Sequence, residues 1–308
     1  MRVVRVTRRE FLKLVGTTAV ALGLSRFDLL EIEEVLAAAT SPPVIWLQAS
    51  GCTGCSVSLL NYIDAATGRE IDEVLLEDIS LKYHPTVMAA AGDLAIAAAT
   101  DARTRYASQY ILVVEGAIPT GASGHYCHIW EDVGRRSERI PYTAQQAVLD
   151  FGANAAHILA VGTCASFGGI SAAEPNPTKA FGLLGVLLDA DDGKVINLSG
   201  CPPHPDWIMG TIVHLLLDDS IELDSQRRPI EYYGASIHPC YRCCLSNIPI
   251  ATDIGQSGCM INVGCRMGHC DAKTRLWNNG MNWCVRANTP CIGCTSPLFP
   301  GPRFYNTV

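Results

Sequence analysis

Cysteine is the residue whose number and spacing promise chemistry in this chain. There are 14 in 308 residues. That fraction is below the 8–10% or so of a small disulfide scaffold, and a chain this long can bury a core without covalent staples. Two Cys-x-x-Cys pairs stand out, Cys52/Cys55 and Cys291/Cys294, with Cys240/Cys243 a possible third. Three chemistries use such residues. Disulfides need partners, and the spacing selects none. Zinc takes tetrahedral four-cysteine sites, usually from paired knuckles. Iron–sulfur clusters take four thiolates from scattered positions and accept a histidine in place of one. The count suits clusters. Cys52, Cys55, Cys164 and Cys201 form one set. His238, one of Cys240 and Cys243, Cys259 and Cys265 form a second. Cys270, Cys284, Cys291 and Cys294 form a third. Cys127 and Cys244 read better as small buried hydrophobes. Arg266, Lys273, Arg275 and Arg286 lie near enough in sequence to offset anionic clusters, or to be plain solvated surface.

The elements that must carry the first set are legible. Short apolar runs at 44–47, 110–114, 157–161 and 195–198 read as buried strands, and helical stretches such as 89–99 and 143–151 lie between them. Residues 57–63 are apolar at helical spacing just after Cys55. Buried strands alternating with helices predict a parallel α/β sheet, whose ligands gather beyond the carboxyl ends of the strands. Three of the four strand-end loops hold cysteine, so Cys52, Cys55, Cys164 and Cys201 are expected at one sheet edge. Glu115 ends the 110–114 run, and reads either as a proton-path residue beside that edge or as a cap on the following turn.

Composition changes from about residue 238. Nine of the 14 cysteines lie between 240 and 294, and turns replace periodic patterns. Residues 40–237 hold 11 Lys and Arg against 23 Asp and Glu, whereas 238–308 hold 6 against 2. The domains expected are therefore residues 40–237, an α/β sheet, and 238–308, a small loop-rich unit organised by something other than apolar burial. The net charge of −7 argues against nucleic acid as a partner. No apolar run reaches the ~18 residues of a membrane span. Residues 1–39 read as an export leader: Arg8-Arg9 with Phe11-Leu12-Lys13, an 11-residue apolar core at 14–24, and a small-residue exit at Ala37-Ala38-Ala39. The arginine pair resembles a twin-arginine signal, which implies a periplasmic or extracytoplasmic destination.

Together these motifs resemble one family. Val44-Ile45-Trp46-Leu47-Gln48 with Cys52-Thr53-Gly54-Cys55-Ser56 is similar to the proximal-cluster loop of nickel–iron hydrogenase small subunits. Glu115-Gly116-Ala117-Ile118-Pro119, Gly162-Thr163-Cys164-Ala165 and Gly200-Cys201-Pro202-Pro203-His204-Pro205 resemble its other loops, and Gly258-Cys259, Gly264-Cys265 and Pro290-Cys291-Ile292-Gly293-Cys294 its C-terminal cluster domain. Leu81-Lys82-Tyr83-His84-Pro85-Thr86 and Trp283-Cys284 bring it nearest the nickel–iron–selenium branch.

The resemblance implies a flavodoxin-like domain followed by a cluster domain, with three clusters relaying electrons. The proximal four-iron cluster would sit on Cys52, Cys55, Cys164 and Cys201. The distal one would sit on His238, Cys243, Cys259 and Cys265, with Cys240 an alternative to Cys243 because residue 241 is Tyr where the family's motif has cysteine. The medial one would sit on Cys270, Cys284, Cys291 and Cys294. Many relatives have proline at the position of Cys284 and a three-iron medial cluster, so cysteine here implies four irons. The nickel–iron centre would lie on a separate large subunit. The external acceptor would be a cytochrome c, or an iron–sulfur or membrane cytochrome subunit. An electron-transfer subunit of a quinone oxidoreductase is the alternative, and a zinc-stapled binding module a third.

Overall fold

The computed structural model describes residues 43–302 apart from 64–67, 69, 78, 134–138, 188–192, 217–219, 235–239, 241–247, 273–276 and 278–279. The leader, His238, Cys243, Cys244, Lys273 and Arg275 lie outside the described residues. Among those described, no helix is long and apolar enough to cross a membrane.

Five strands form one parallel sheet: β1 (Pro43–Gln48), β2 (Ser80–Tyr83), β3 (Ile111–Glu115), β4 (His157–Val161) and β5 (Val195–Leu198), in the order β2-β1-β3-β4-β5. This is the flavodoxin-like order, in which the chain reverses direction across the sheet between β1 and β3. Four strands match the apolar runs. The fifth, β2, was not expected: Ser80-Leu81-Lys82-Tyr83 is short and half-buried at the sheet edge, too mixed in polarity to signal a strand.

Successive residues of each strand point to opposite faces, and both faces are covered. Ile45, Leu47, Leu112, Val114, Ile158 and Ala160 pack on one side against α3 (Ala144–Asn154) through Ala147, Val148 and Phe151. Trp46, Val113, Leu159, Val161 and Leu198 pack on the other against α5 (Pro205–Leu216) through Trp207, Ile208 and Ile212. Each buried Val, Leu, Ile or Phe among these contributes about 1.5–3 kcal/mol by leaving water. Helix α3 starts where the Thr143 hydroxyl accepts the Gln146 N–H at 3.1 Å, an N-cap of the usual kind. The expected helix at 89–99 runs later, as α2 (Asp93–Arg105). The helix after Cys55 starts earlier than expected, as α1 (Gly54–Leu59), and the apolar Val57 and Ile63 are more than half exposed. An antiparallel hairpin, His128–Val133 with Arg139–Thr143, projects beside α3.

Register decides where the loops emerge. Gln48 pairs with Glu115, Glu115 with Val161, and Val161 with Leu198. Four strands therefore end in one level row. Beyond residue 247, the described residues form turns and loops, with one 3₁₀ turn at Ile261–Val263.

Candidate iron–sulfur sites

The level row sets the first site. Cys52 and Cys55 follow β1, Cys164 lies three residues past the end of β4, and Cys201 three past the end of β5. Their thiols feel one another. Burial pushes the Cys55 thiol well up, with Glu115, Cys164, Cys201 and Cys52 adding repulsion. Burial pushes Cys201 up to about 12, reinforced by Cys164, Cys294 and Cys52. The Cys164 thiol is raised by burial against backbone N–H groups of Ile170 and Ser171 that donate toward it.

The backbone is shaped to these sulfurs. A Cβ on Gly162, whose φ is +90°, would stand 2.5 Å from the Cys55 Sγ, and one on Gly169 would stand 2.9 Å from the Cys164 Sγ. Helix α4 (Thr163–Phe167), which carries Cys164, begins at that first glycine. The Glu115 carboxylate, 1% exposed, ties β1 and β3 to the first cysteine loop. It accepts the Cys55 N–H at 2.9 Å, the Ser56 N–H at 3.3 Å, the Trp46 indole N–H at 3.2 Å and the Ser56 hydroxyl. Glu115 thus caps the amino end of α1, a placement favourable to a carboxylate. Ser56 and Trp46 escaped the sequence reading, since nothing in their spacing marks a partner across the sheet.

The second site docks on the first. The Thr163 hydroxyl donates to the Cys294 carbonyl, and the Ser199 hydroxyl to the Thr295 carbonyl at 2.9 Å. Burial drives the Cys294 thiol up to about 11 although the Cys201 backbone N–H donates toward it, and Cys291 adds repulsion. Cys270 is pushed up to about 12 by burial and then by Cys294. Cys284 is driven far up by its hydrogen bond with Cys291, and further by burial. Cys270, Cys284, Cys291 and Cys294 therefore share one neighbourhood beside Cys201.

Of the expected set of His238, Cys240 or Cys243, Cys259 and Cys265, burial raises the Cys265 thiol, with Cys291 and Cys259 adding repulsion. Cys240 is half-buried, and His238 and Cys243 are the members outside the described residues. Cys127 stands apart: burial alone raises its thiol.

Crowded, buried thiols of this kind resist ionisation one by one, because each thiolate would lose water and repel the rest. A cationic iron core removes both penalties, so the donor sets fit clusters of thiolate-bound iron. Among the described residues, no three His, Cys, Asp or Glu side chains converge tightly enough for a single metal ion.

Comparison with known proteins matches residues 52–215 to the family described as NADH ubiquinone oxidoreductase, 20 Kd subunit, and residues 233–305 to the family of C-terminal domains from NiFe/NiFeSe hydrogenase small subunits. The periplasmic NiFeSe hydrogenase small subunit of Desulfomicrobium baculatum is 39% identical, over 96% of this chain and 96% of that one. The periplasmic NiFe hydrogenase small subunit 1 of Nitratidesulfovibrio vulgaris is 36% identical, over 96% and 90%. The solved structure of the H2-activated D. baculatum NiFeSe hydrogenase superposes with a TM-score of 0.77, covering 87% of this chain and 99% of that chain.

Proposed function

The chain belongs to the small-subunit family of nickel–iron hydrogenases, and from that premise we propose how its residues serve the enzyme. It is the electron-transferring subunit of a hydrogenase, an H2:acceptor oxidoreductase whose other half is a large subunit. A quinone oxidoreductase subunit is disfavoured, because the cysteine-rich end has its own hydrogenase match.

Iron–sulfur clusters, when bound, supply one-electron carriers whose potentials follow ligand type, hydrogen bonding and burial. In our reading Cys52, Cys55, Cys164 and Cys201 hold the proximal cluster. Cys270, Cys284, Cys291 and Cys294 hold the medial one, and His238, Cys243, Cys259 and Cys265 the distal one, with Cys240 in reserve for Cys243. The residues between do the positioning. Glu115 fixes the first loop through four donors, and Thr163 and Ser199 clamp the 294–295 backbone to the sheet edge. The observation that carries this reading is the level row of strand ends, which brings four distant cysteines to one edge with the 291–294 loop docked on it. Metal analysis tests it: about twelve irons per chain with acid-labile sulfide are expected, and zinc without sulfide overturns it.

Three finer assignments follow the same reading. Residues 40–237 form the proximal-cluster domain and 238–308 the medial and distal one. The proximal edge is covered by the large subunit, at a place where Cys52 is exposed and Val57, Leu60 and Ile63 offer apolar surface. Expressed alone, the chain should aggregate or lose iron; a stable monomer with full iron content counts against that interface. Residues 1–39 direct twin-arginine export, so replacing Arg8 and Arg9 with Lys should hold the protein in the cytoplasm, and unchanged export refutes the assignment. The electron acceptor in this reading is a cytochrome c, or an iron–sulfur or membrane cytochrome subunit.

Cys284 adds a fourth thiolate to the medial set, where proline has no ligand atom. Four irons are expected, with a potential lowered by the added negative charge. The oxidised enzyme should lack an intense three-iron paramagnetic signal and gain one in Cys284→Pro. A strong three-iron signal in undamaged wild type sinks this assignment.

A further inference from the structure

Between the strand-end cysteines and the 291–294 loop runs a seam of hydrogen bonds, and one hydroxyl touches every part of it. Thr163 is the first residue of α4, next to Cys164, and is buried. Its backbone N–H donates to the Gly200 carbonyl at 2.9 Å, and the Gly200 N–H donates back to the Thr163 hydroxyl oxygen at 2.9 Å. The hydroxyl proton goes to the Cys294 carbonyl. A hydroxyl has a single proton to give, so this one is committed. The loops of Cys164, Cys201 and Cys294 thus meet at Thr163 Oγ1.

The seam brings two sulfurs into bonded contact. The Cys201 backbone N–H, one residue past Gly200, donates toward the Cys294 Sγ. From the Cys201 Sγ the path runs through Cβ, Cα and N, and then across that hydrogen bond to the second sulfur. Electrons tunnel farther along bonded atoms than across a gap, so this contact is a short route between the two ligand sets. Ser199 steadies it from the other side. Its hydroxyl donates to the Thr295 carbonyl at 2.9 Å, and its own carbonyl accepts the Tyr233 hydroxyl at 2.7 Å. The Arg228 Nη1 donates to the same Thr295 carbonyl at 2.9 Å.

We propose that Thr163 is a positioning residue for electron passage between the proximal and medial sets: its hydroxyl holds Cys201 against Cys294, and the N–H···S contact between them is the bonded route. This deepens the reading above and rests on it, with Cys201 a proximal ligand and Cys294 a medial one. Electrons pass singly along the route; no bond forms or breaks, and no proton moves. An N–H donated to a ligand sulfur also favours the reduced, more negative state of the iron that sulfur would hold, so the contact raises the medial potential.

The test uses the whole heterodimer with its clusters. Thr163→Val keeps the side-chain shape and removes the hydroxyl, whereas Thr163→Ser keeps the hydroxyl. Two quantities are read: the medial reduction potential, by a paramagnetic resonance titration, and the rate at which electrons redistribute between the two sets after a laser-induced potential jump. In Thr163→Val that rate should fall about tenfold, the scale on which outer partners of metal ligands act. The medial equilibrium should shift about tenfold toward the oxidised form, which for one electron lowers the potential by about 59 mV. Thr163→Ser should recover most of both. A merely structural threonine would change thermal stability or iron content and leave both quantities alone in the iron-loaded fraction. The inference is overturned if iron-replete Thr163→Val keeps wild-type values, or if Thr163→Ser behaves as Thr163→Val does. Should Thr163→Val fail to hold iron, Ser199→Ala is read in its place. It loosens the same seam one residue beyond Cys294 and should move both quantities several-fold in the same direction; wild-type values there overturn the inference. Metal analysis of wild type reports separately: zinc without sulfide removes the cluster reading and this inference with it, whereas full iron with unmoved quantities removes this inference alone.

Discussion

The sheet domain and the cysteine-rich segment position their cysteines by opposite means. In the first, β1, β3, β4 and β5 bury their apolar side chains on two faces, with Ile45, Leu112, Val113, Ile158 and Leu159 completely inaccessible. The cysteines there ride on loops anchored to a frame that stands without them. In the second, the described residues offer few large buried side chains, among them Met260, Trp277, Trp283 and Phe299. Much of the backbone bonding there passes through the cysteines: Ala251 donates to Cys259, Arg266 to Cys291 and Thr289 to Cys284. The difference teaches that a ligand set can be placed by a fold or can itself be the fold, and only the second kind couples folding to metal outright.

Removing iron should separate the two regions most sharply. Chelation under reducing conditions should abolish hydrogen-exchange protection across residues 250–300, while amides of β1, β3 and β4 stay protected. Equal loss in both regions would erase the distinction. Phe151→Ala strikes the other side. Its fully buried ring packs against the sheet, and truncation should cost about 3–5 kcal/mol, shortening the thermal half-life with iron content per folded chain unchanged.

Acid should also act on the frame. His84 is buried against Trp46, ring centroids 4.9 Å apart, and its Nδ1 accepts the Thr86 and Val87 backbone N–H groups at 3.1 and 3.3 Å. Burial lowers its pKa from 6.5 to about 4. The unfolded chain therefore binds the proton more readily, and the stability tied to neutral His84 is present above pH 6.5 and lost as pH falls toward 4. The total is about 2–3 kcal/mol, and His84→Gln should flatten that part of the stability profile against pH. Glu115→Gln should have the smallest effect, about 1–3 kcal/mol, through weaker acceptance of four donors. It should show as faster exchange at Cys55 and Ser56, where a plain loss of sheet stability would instead spread over every strand.

The sheet was legible because its strands are continuous apolar runs bounded by glycine, a pattern that burial on both faces imposes. The convergence of Cys52, Cys55, Cys164 and Cys201 was legible for the same reason, since parallel strands deliver their loops to one edge. Strand β2 was not, because Ser80-Leu81-Lys82-Tyr83 mixes polar and apolar residues and is mostly half-buried. The grouping of Cys270, Cys284, Cys291 and Cys294 followed from count and family likeness alone, since no periodic element fixes that segment. Least legible were contacts between distant polar residues, such as Thr163 with Cys294 or Trp46 with Glu115. Each is an ordinary residue until tertiary structure supplies its partner.

The row formed by Gln48, Glu115, Val161 and Leu198 works as a ruler. Each sheet cysteine is measured by a few residues from its own strand end, and never by the length of chain between one strand and the next. Insertions or deletions on the opposite edge, in α2 or α3, or in the hairpin at 128–143, leave every one of those short measures unchanged. The geometry of the cysteine-bearing edge is thereby insulated from most length variation in its own domain, and divergence can accumulate there without moving a sulfur.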